Sequence, residues 1–309
     1  MILTLTPNPA VDQTDWLDRV ELGAVNRTRE THFDPAGKGI NASRMAHRLG
    51  WPTIAFGFLA GETGAIIERA LRAEGVQYHF VQVPGLTRVN MTIIDDAGVV
   101  TSFHGPGARV SAADVATLDS MVRFWLRGVR VLVLAGSLPP GMSPDTYAGF
   151  IARSHEQGVK VILDADGEPL RLGVAAHPDV IKPNVQEAEQ LLGRRLPDLA
   201  TVIGAARELS LRGIAAVVIS MGAEGAVCAS GERAWRVRSP RVQARSTVGS
   251  GDSMVAGIAV ALARGEDLVD GLRRGAAAGA ATAATAGTAL GAAEDVEALL
   301  PQVSVEAIG

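Results

Sequence analysis

Ser246-Thr247-Val248-Gly249-Ser250-Gly251-Asp252 leads straight into Ser253-Met254-Val255-Ala256-Gly257, a turn of small residues followed by a helical run. Gly249, Ser250 and Gly251 carry little side-chain bulk, so their consecutive backbone N–H groups can face an approaching anion. A helix over about 254–263 would aim its positive end at the same place. Asp252 sets a carboxylate beside that anion site, where it can take a proton from a hydroxyl nucleophile. The chemistry these residue types suit is phosphoryl transfer to an alcohol. The same stretch also reads as an ordinary helix N-terminus with an acidic first turn.

Other turns offer complementary groups. In Ala36-Gly37-Lys38-Gly39-Ile40-Asn41 the glycines permit close backbone approach, Lys38 supplies charge, and Asn41 has a donor and an acceptor for a hydroxyl. It is not a Walker A loop, because no Ser or Thr follows Lys38. Asp12, soon after a first apolar run, could accept hydrogen bonds from two sugar hydroxyls. Arg88, in Thr87-Arg88-Val89-Asn90, presents a planar fork suited to phosphate. Gly136-Ser137-Leu138-Pro139-Pro140-Gly141 is a rigid turn holding up Ser137. In Lys182-Pro183-Asn184-Val185-Gln186-Glu187, Asn184 and Glu187 have capping-box spacing, and the same groups could organise Mg²⁺ and water near ATP phosphates. Ser220, Gly222 and Gly225 lie where a nucleotide could pass close to the backbone. Each of these turns also has a purely structural reading.

The elements that must position them alternate. Apolar runs at 129–134, 159–163, 179–182 and 215–220 are separated by helical spacing at 145–157 and 199–211, which predicts a parallel sheet covered on both faces. Ligands of such sheets sit at the carboxyl ends of the strands, and Gly136, Asp164, Lys182 and Ser220 all fall there. The first hundred residues differ. Alternation at 28–33, 89–94 and 99–103, with a hairpin turn at Asp95-Asp96-Ala97-Gly98, predicts a small β-sheet lid drawn from about 11–35 and 88–105. Helices of the main domain are expected at 42–49 and 64–74. One domain over residues 1–309 is the expected organisation.

Composition narrows the function class. A formal net charge of −4 argues against non-specific nucleic-acid binding, which needs a basic face. One cysteine, Cys228, cannot form an internal disulfide, and the N-terminal run reads as a first strand, not a signal peptide. A cytoplasmic protein is expected. Residues 275–293 carry no charge, but Ala, Gly and Thr are too weakly apolar to drive membrane insertion, so a tightly packed buried helix is predicted. The 6 histidines have no metal-binding spacing, and no direct protein metal site is expected. Lys38, Lys160 and Lys182 are the lysines in a chain that otherwise uses arginine, and two of them lie in the motifs above.

Taken in order, these motifs resemble those of the ribokinase-like carbohydrate kinases, and more narrowly the phosphofructokinase-B branch that includes 1-phosphofructokinase and tagatose-6-phosphate kinase. The likeness spans nearly the whole chain, from Thr6-Pro7-Asn8-Pro9-Ala10-Val11-Asp12 through Leu59-Ala60-Gly61 to Thr247-Val248-Gly249-Ser250-Gly251-Asp252. It implies a Rossmann-like three-layer α/β core with a β-sheet lid, and lids that pair two subunits into a homodimer. It implies ATP with Mg²⁺, and a ketohexose phosphate as acceptor, fructose 1-phosphate before tagatose 6-phosphate or fructose 6-phosphate. By position, Asp252 would be the general base and Gly249, Ser250 and Gly251 the anion hole. Asp12, Gly39, Asn41 and Asn90 would meet the sugar; Lys38, Arg88, Ser137 and secondarily Arg27 its phosphate. Lys182, Asn184, Glu187, Ser220, Gly222 and Gly225 would serve the nucleotide, with Glu187 reaching Mg²⁺ through water. Two departures stand out. The second lid strand reads Thr101-Ser102-Phe103-His104 where relatives often have a Thr-Glu-x-Asn-like element. Asp164-Ala165-Asp166-Gly167 replaces the usual Asp-Ser/Thr-Ser-Gly.

Overall fold

The computed structural model describes residues 1–308. The chain begins with β1 (Ile2–Thr6), β2 (Ala10–Leu17), β3 (Glu30–Ala36), α1 (Lys38–Arg48), β4 (Thr53–Leu59), α2 (Gly61–Ala73), β5 (Gln77–Gln82), β6 (Arg88–Asp95) and β7 (Val100–Phe103). It continues through α3 (Ala112–Leu126), β8 (Val131–Ala135), α4 (Thr146–Glu156), β9 (Lys160–Asp164), α5 (Gly167–Val174), β10 (Val180–Ile181), α6 (Val185–Leu192), α7 (Leu199–Leu211) and β11 (Ala216–Ser220). The remainder is β12 (Ala226–Ser230), β13 (Arg233–Arg238), α8 (Ser250–Arg264), α9 (Leu268–Ala283), α10 (Ala293–Leu299) and β14 (Ser304–Ile308).

Ten strands form the main sheet in the order β14-β13-β12-β11-β10-β9-β8-β1-β4-β5. From β11 to β5 every pairing is parallel, and β12 to β14 add an antiparallel edge. Side chains of β8 show why the sheet must be covered twice. Leu132 and Leu134 enter one core with α3, α4 and α7, while Val131 and Val133 enter another with α1, α8 and α9. This is period-two alternation with both faces apolar, the signature of a sandwiched parallel sheet. A third cluster packs α2 on Ala55, Leu59 and Ile40.

A second sheet has the order β3-β2-β6-β7. Because β2 follows β1 after residues 7–9, this sheet is rooted at the carboxyl edge of the main one. The hairpin turn is where the sequence placed it, and Asp95 Oδ1 accepts a hydrogen bond from the Val99 N–H at 2.9 Å.

The uncharged stretch at 275–293 corrects the sequence reading. It is not one helix: α9 ends at Ala283, residues 284–292 form an irregular connection, and α10 begins at Ala293. Gly287 and Gly291 lower helix propensity there, and Thr285 turns its hydroxyl back onto the Thr282 carbonyl. The buried half behaves as predicted. A Cβ on Gly257 would meet Gly275 N at 2.5 Å, so α8 and α9 approach backbone to backbone. No helix among the described residues is long and apolar enough to cross a membrane.

Candidate active site

Gly249 ends the turn before α8 in the left-handed region, at φ 75°, which glycine adopts without steric strain. No side chain caps the helix, so its first-turn N–H groups are not consumed by a neighbouring hydroxyl or carboxylate. The capping alternative therefore reduces to Asp252 as an acid in the first turn. Close contact with α9 fixes this end: a Cβ on Gly279 would lie 3.0 Å from the Ser250 carbonyl oxygen.

Asp252 accepts a hydrogen bond from Asn41 Nδ2 at 2.8 Å. Its carboxyl pKa is pushed up to about 6, chiefly by burial and then by the nearby charge of Asp164. The Asn41 hydrogen bond and the ammonium groups of Lys38 and Lys182 work against that rise. A carboxylate held this way is a better proton acceptor than a solvated one and is still ionised at neutral pH.

Asp164, fully buried at the end of β9, stood in the sequence reading only as a strand-end position and was given no role there. Lys38 Nζ lies 3.0 Å from one of its oxygens and Lys182 Nζ 3.4 Å from the other. Burial would raise its pKa, but Lys182 and Lys38 outweigh burial and hold it below the usual carboxylate range. Lys38 also reaches Glu187 at 3.3 Å. The signal was present in the sequence, since Asp164 ends a strand and the only motif lysines flank the same edge.

Lys38, expected to help Arg88 and Ser137 hold a substrate phosphate, does not line the cavity those two share and is ion-paired instead. Two carboxylates claim its ammonium, Asp164 at the end of β9 and Glu187 in the first turn of α6. Burial pulls the Lys38 pKa down, yet the charges of Asp164, Glu187 and Asp252 more than reverse this. Lys182 is buried with its ammonium near α8, 3.2 Å from where a Cβ of Gly251 would sit.

Asn184 and Glu187 form the capping box in both directions. Asn184 Oδ1 accepts from Glu187 N–H, and Glu187 Oε2 accepts from Asn184 N–H, each at 2.8 Å. Their structural reading is therefore real, and Glu187 keeps its other oxygen for Lys38. Ser220 closes β11 beside them through a bridge to Asn184. Gly222 and Gly225 flank the single helical turn between β11 and β12.

The sugar candidates gather on the second sheet and α1. Asn90 Nδ2 donates to Asp12 Oδ1 at 2.9 Å, the two facing each other across the β2–β6 pairing. Burial raises the Asp12 pKa, and the Asn90 hydrogen bond partly offsets it. Gly39 packs so tightly that a Cβ would stand 2.4 Å from Thr6 Oγ1. Asn41 Oδ1 and Asn90 Oδ1 are buried acceptors without a protein donor, an arrangement that a polyhydroxylated ligand would satisfy.

Arg88 donates to the Gly105 carbonyl at 3.2 Å and the Asn8 carbonyl at 2.9 Å, leaving its buried Nε without a partner. Asn8 Nδ2 in turn donates to Ser137 Oγ at 3.2 Å. Arg88, Asn8 and Ser137 line a cavity of about 630 Å³, together with Asp166 and Gln190. Asn8 is a second missed residue, legible only as part of the Pro7-Asn8-Pro9 turn. Arg27 lies exposed in the connection between β2 and β3.

Comparison with known proteins gives the family. The model of the pfkB family carbohydrate kinases matches residues 5–295. The chain belongs to the pfkB family of carbohydrate kinases. It is an ATP-dependent sugar kinase, and its relatives make it a sugar-phosphate kinase of that family. The 1-phosphofructokinase of Vibrio cholerae is 33% identical over 99% of this chain and 97% of its own length. The crystal structure of Escherichia coli phosphofructokinase-2 in complex with substrates and products superposes with a TM-score of 0.92 at 32% identity, covering 97% of this chain and 98% of that one. Arabidopsis thaliana ribokinase, 20% identical, shares the fold with a TM-score of 0.84, covering 97% of this chain and 98% of its own.

Proposed function

We propose that this pfkB kinase transfers the γ-phosphoryl group of ATP to fructose 1-phosphate, giving fructose 1,6-bisphosphate. The observation that carries the mechanism is Asp252, an acid with its pKa pushed up to about 6, beside the uncapped first turn of α8. Asp252 takes the proton of the acceptor hydroxyl as that oxygen attacks phosphorus. The N–H groups of Gly249, Ser250 and Gly251, with the positive end of α8, stabilise the charge spread over the phosphoryl oxygens in flight.

The acceptor's own phosphate goes to Arg88 and Ser137, and its hydroxyls to Asp12, Asn90, Asn41 and the backbone at Gly39. The nucleotide lies along Lys182, Ser220, Gly222 and Gly225. Mg²⁺ would be held by the ATP phosphates, and an ion that keeps several waters needs no protein cage. Asn184 and Glu187 fit its second shell, since carboxylate and amide oxygens retain lone pairs for water. When bound, Mg²⁺ would supply charge neutralisation to the phosphates. The second sheet closes over the site and excludes water, the competing nucleophile. Phe33, Val100 and Phe103 expose apolar surface on that sheet, which supports its pairing with a second copy in a homodimer. The buried, lone Cys228 suits a reducing cytoplasm.

Support for the sugar comes from the relatives named 1-phosphofructokinase. A coupled ADP-release assay with fructose 1-phosphate, fructose 6-phosphate, tagatose 6-phosphate and fructose tests it. The expected order puts fructose 1-phosphate first by kcat/KM. A higher value for either 6-phosphate would replace the assignment.

A further inference from the structure

Asp166 is a departure that the proposed mechanism leaves unused. Its side chain stands at the N-cap of α5 but makes no capping hydrogen bond. It is exposed, and it lines the same cavity as Arg88 and Ser137. Its charge reaches Arg88, where together with Asp12 it opposes the burial that lowers the arginine's pKa. A carboxylate next to a phosphate clamp opposes the phosphate unless a donor comes between them.

Sugar chemistry supplies that donor on only one class of acceptor. In the furanose form, fructose 1-phosphate and fructose 6-phosphate become nearly superposable when the ring is turned end over end. They differ in where the anomeric hydroxyl sits. In the 1-phosphate it is on the carbon next to the phosphorylated one; in the 6-phosphate it is at the reacting end. The carbon next to the 6-phosphate carries the ring oxygen, which can only accept.

We propose that Asp166 is a specificity-determining residue that accepts a hydrogen bond from the anomeric hydroxyl of a ketohexose 1-phosphate and disfavours 6-phosphates. This rests on the reading that the phosphate lies at Arg88 and Ser137. Asp252 and Asn41 do not line that cavity, so Asp166 acts at the phosphate end and away from the transferred group.

The test uses 2,5-anhydromannitol 1-phosphate, which lacks the anomeric hydroxyl and, because the parent anhydrohexitol has equivalent ends, is identical to its 6-phosphate. The unmodified enzyme should prefer fructose 1-phosphate over this analogue by about ten- to a hundredfold in kcat/KM, the range for a hydrogen bond to a charged group. Asp166→Ala should shrink the preference to within about threefold, by losing rate on fructose 1-phosphate and not on the analogue. Fructose 6-phosphate should gain kcat/KM in the same variant, because the opposing charge is gone. Equal losses on both sugars, or an unchanged ratio, would overturn the proposal and leave Asp166 a solvated acid. Asp166→Ser, read the same way, covers the case of an insoluble alanine variant. Absence of ADP formation from the unmodified enzyme with either 1-phosphate would instead sink the underlying reading.

Discussion

Replacing Asp252 by asparagine should stabilise the fold while removing most turnover, and the two effects come from one cause. In the folded chain the carboxyl pKa is pushed up to about 6 against an ordinary 3.8. At about 1.36 kcal/mol per unit, that difference amounts to roughly 3 kcal/mol of destabilisation when the group is ionised. The sign follows from linkage. Below the unfolded pKa both states hold the proton and there is no penalty; the penalty grows as pH rises and is complete above the folded pKa. Partial solvent contact at Asp252 reduces the figure, so about 1–2 kcal/mol is expected at pH 8. For a chain of this size that is roughly 1.5–3 °C in Tm. The substituted amide would still accept from Asn41 Nδ2 through its carbonyl oxygen, so packing is preserved. Differential scanning calorimetry of Asp252→Asn and the parent at pH 8 and pH 5 measures the gap, which should fall to about half at pH 5. In parallel, kcat should drop by about 10²–10⁴. The parent's kcat/KM should lose about tenfold per pH unit below about 6. A variant no more stable than the parent at pH 8, or one keeping turnover within a few fold, would refute the reasoning.

Lys38→Met should move the acid limb of the kcat/KM profile to higher pH, because Lys38 is one of the charges restraining the Asp252 pKa; an unmoved limb would uncouple the two residues. Arg88→Ala should raise KM for the sugar phosphate by about 10²-fold, the scale of a lost charge-assisted fork, while KM for ATP stays within about twofold. Gly39→Ala should destabilise by about 1–3 kcal/mol in urea melts, since its Cβ would meet Thr6 Oγ1 at 2.4 Å under a fixed helix. Phe33→Asp with Val100→Asp should convert the proposed homodimer to monomer in sedimentation velocity; a sedimentation coefficient unaltered by the pair of changes would refute the pairing of the second sheets.

Much of this site was legible because local chemistry and strand-end placement coincide. Gly249 to Asp252 announce a turn, an acid and a helix start with no long-range information. Val131 to Ala135 and Lys160 to Asp164 announce parallel strands by their unbroken apolar runs, and parallel strands dictate where ligands sit. What the sequence concealed are facts about pairing across long separations. Lys38 was expected at a phosphate because the resemblance implied it, while the residues alone offered only a charge beside flexible glycines. Its actual partners, Asp164 and Glu187, are brought to it by the sheet order, which no window around residue 38 contains. The break after Ala283 was hidden for the opposite reason. An alanine-rich run carries almost no pattern, so only the positions of Gly287 and Gly291 hinted that the helix would stop.

The five charges assembled around β9 explain why Asp252 in particular holds a raised pKa. Lys38 and Lys182 balance Asp164 and Glu187, so that set is neutral without Asp252. Ionised Asp252 is therefore the unbalanced charge, and Asp164 lies near enough to raise its pKa. An incoming polyphosphate adds further negative charge to the same pit. In the proposed mechanism it raises the proton affinity of Asp252 again at the step when a proton must be taken, while the N–H groups of α8 are left to the phosphoryl oxygens. Neutralising Asp164 should accordingly do more than remove one ion pair. Asp164→Asn would free both lysines to draw the Asp252 pKa down, weakening the base and shifting the acid limb to lower pH. Lys38→Met shifts it the other way. Opposite displacements from two variants that each break the same ion pair would separate electrostatic tuning from simple structural damage, which would slow the enzyme without moving its profile.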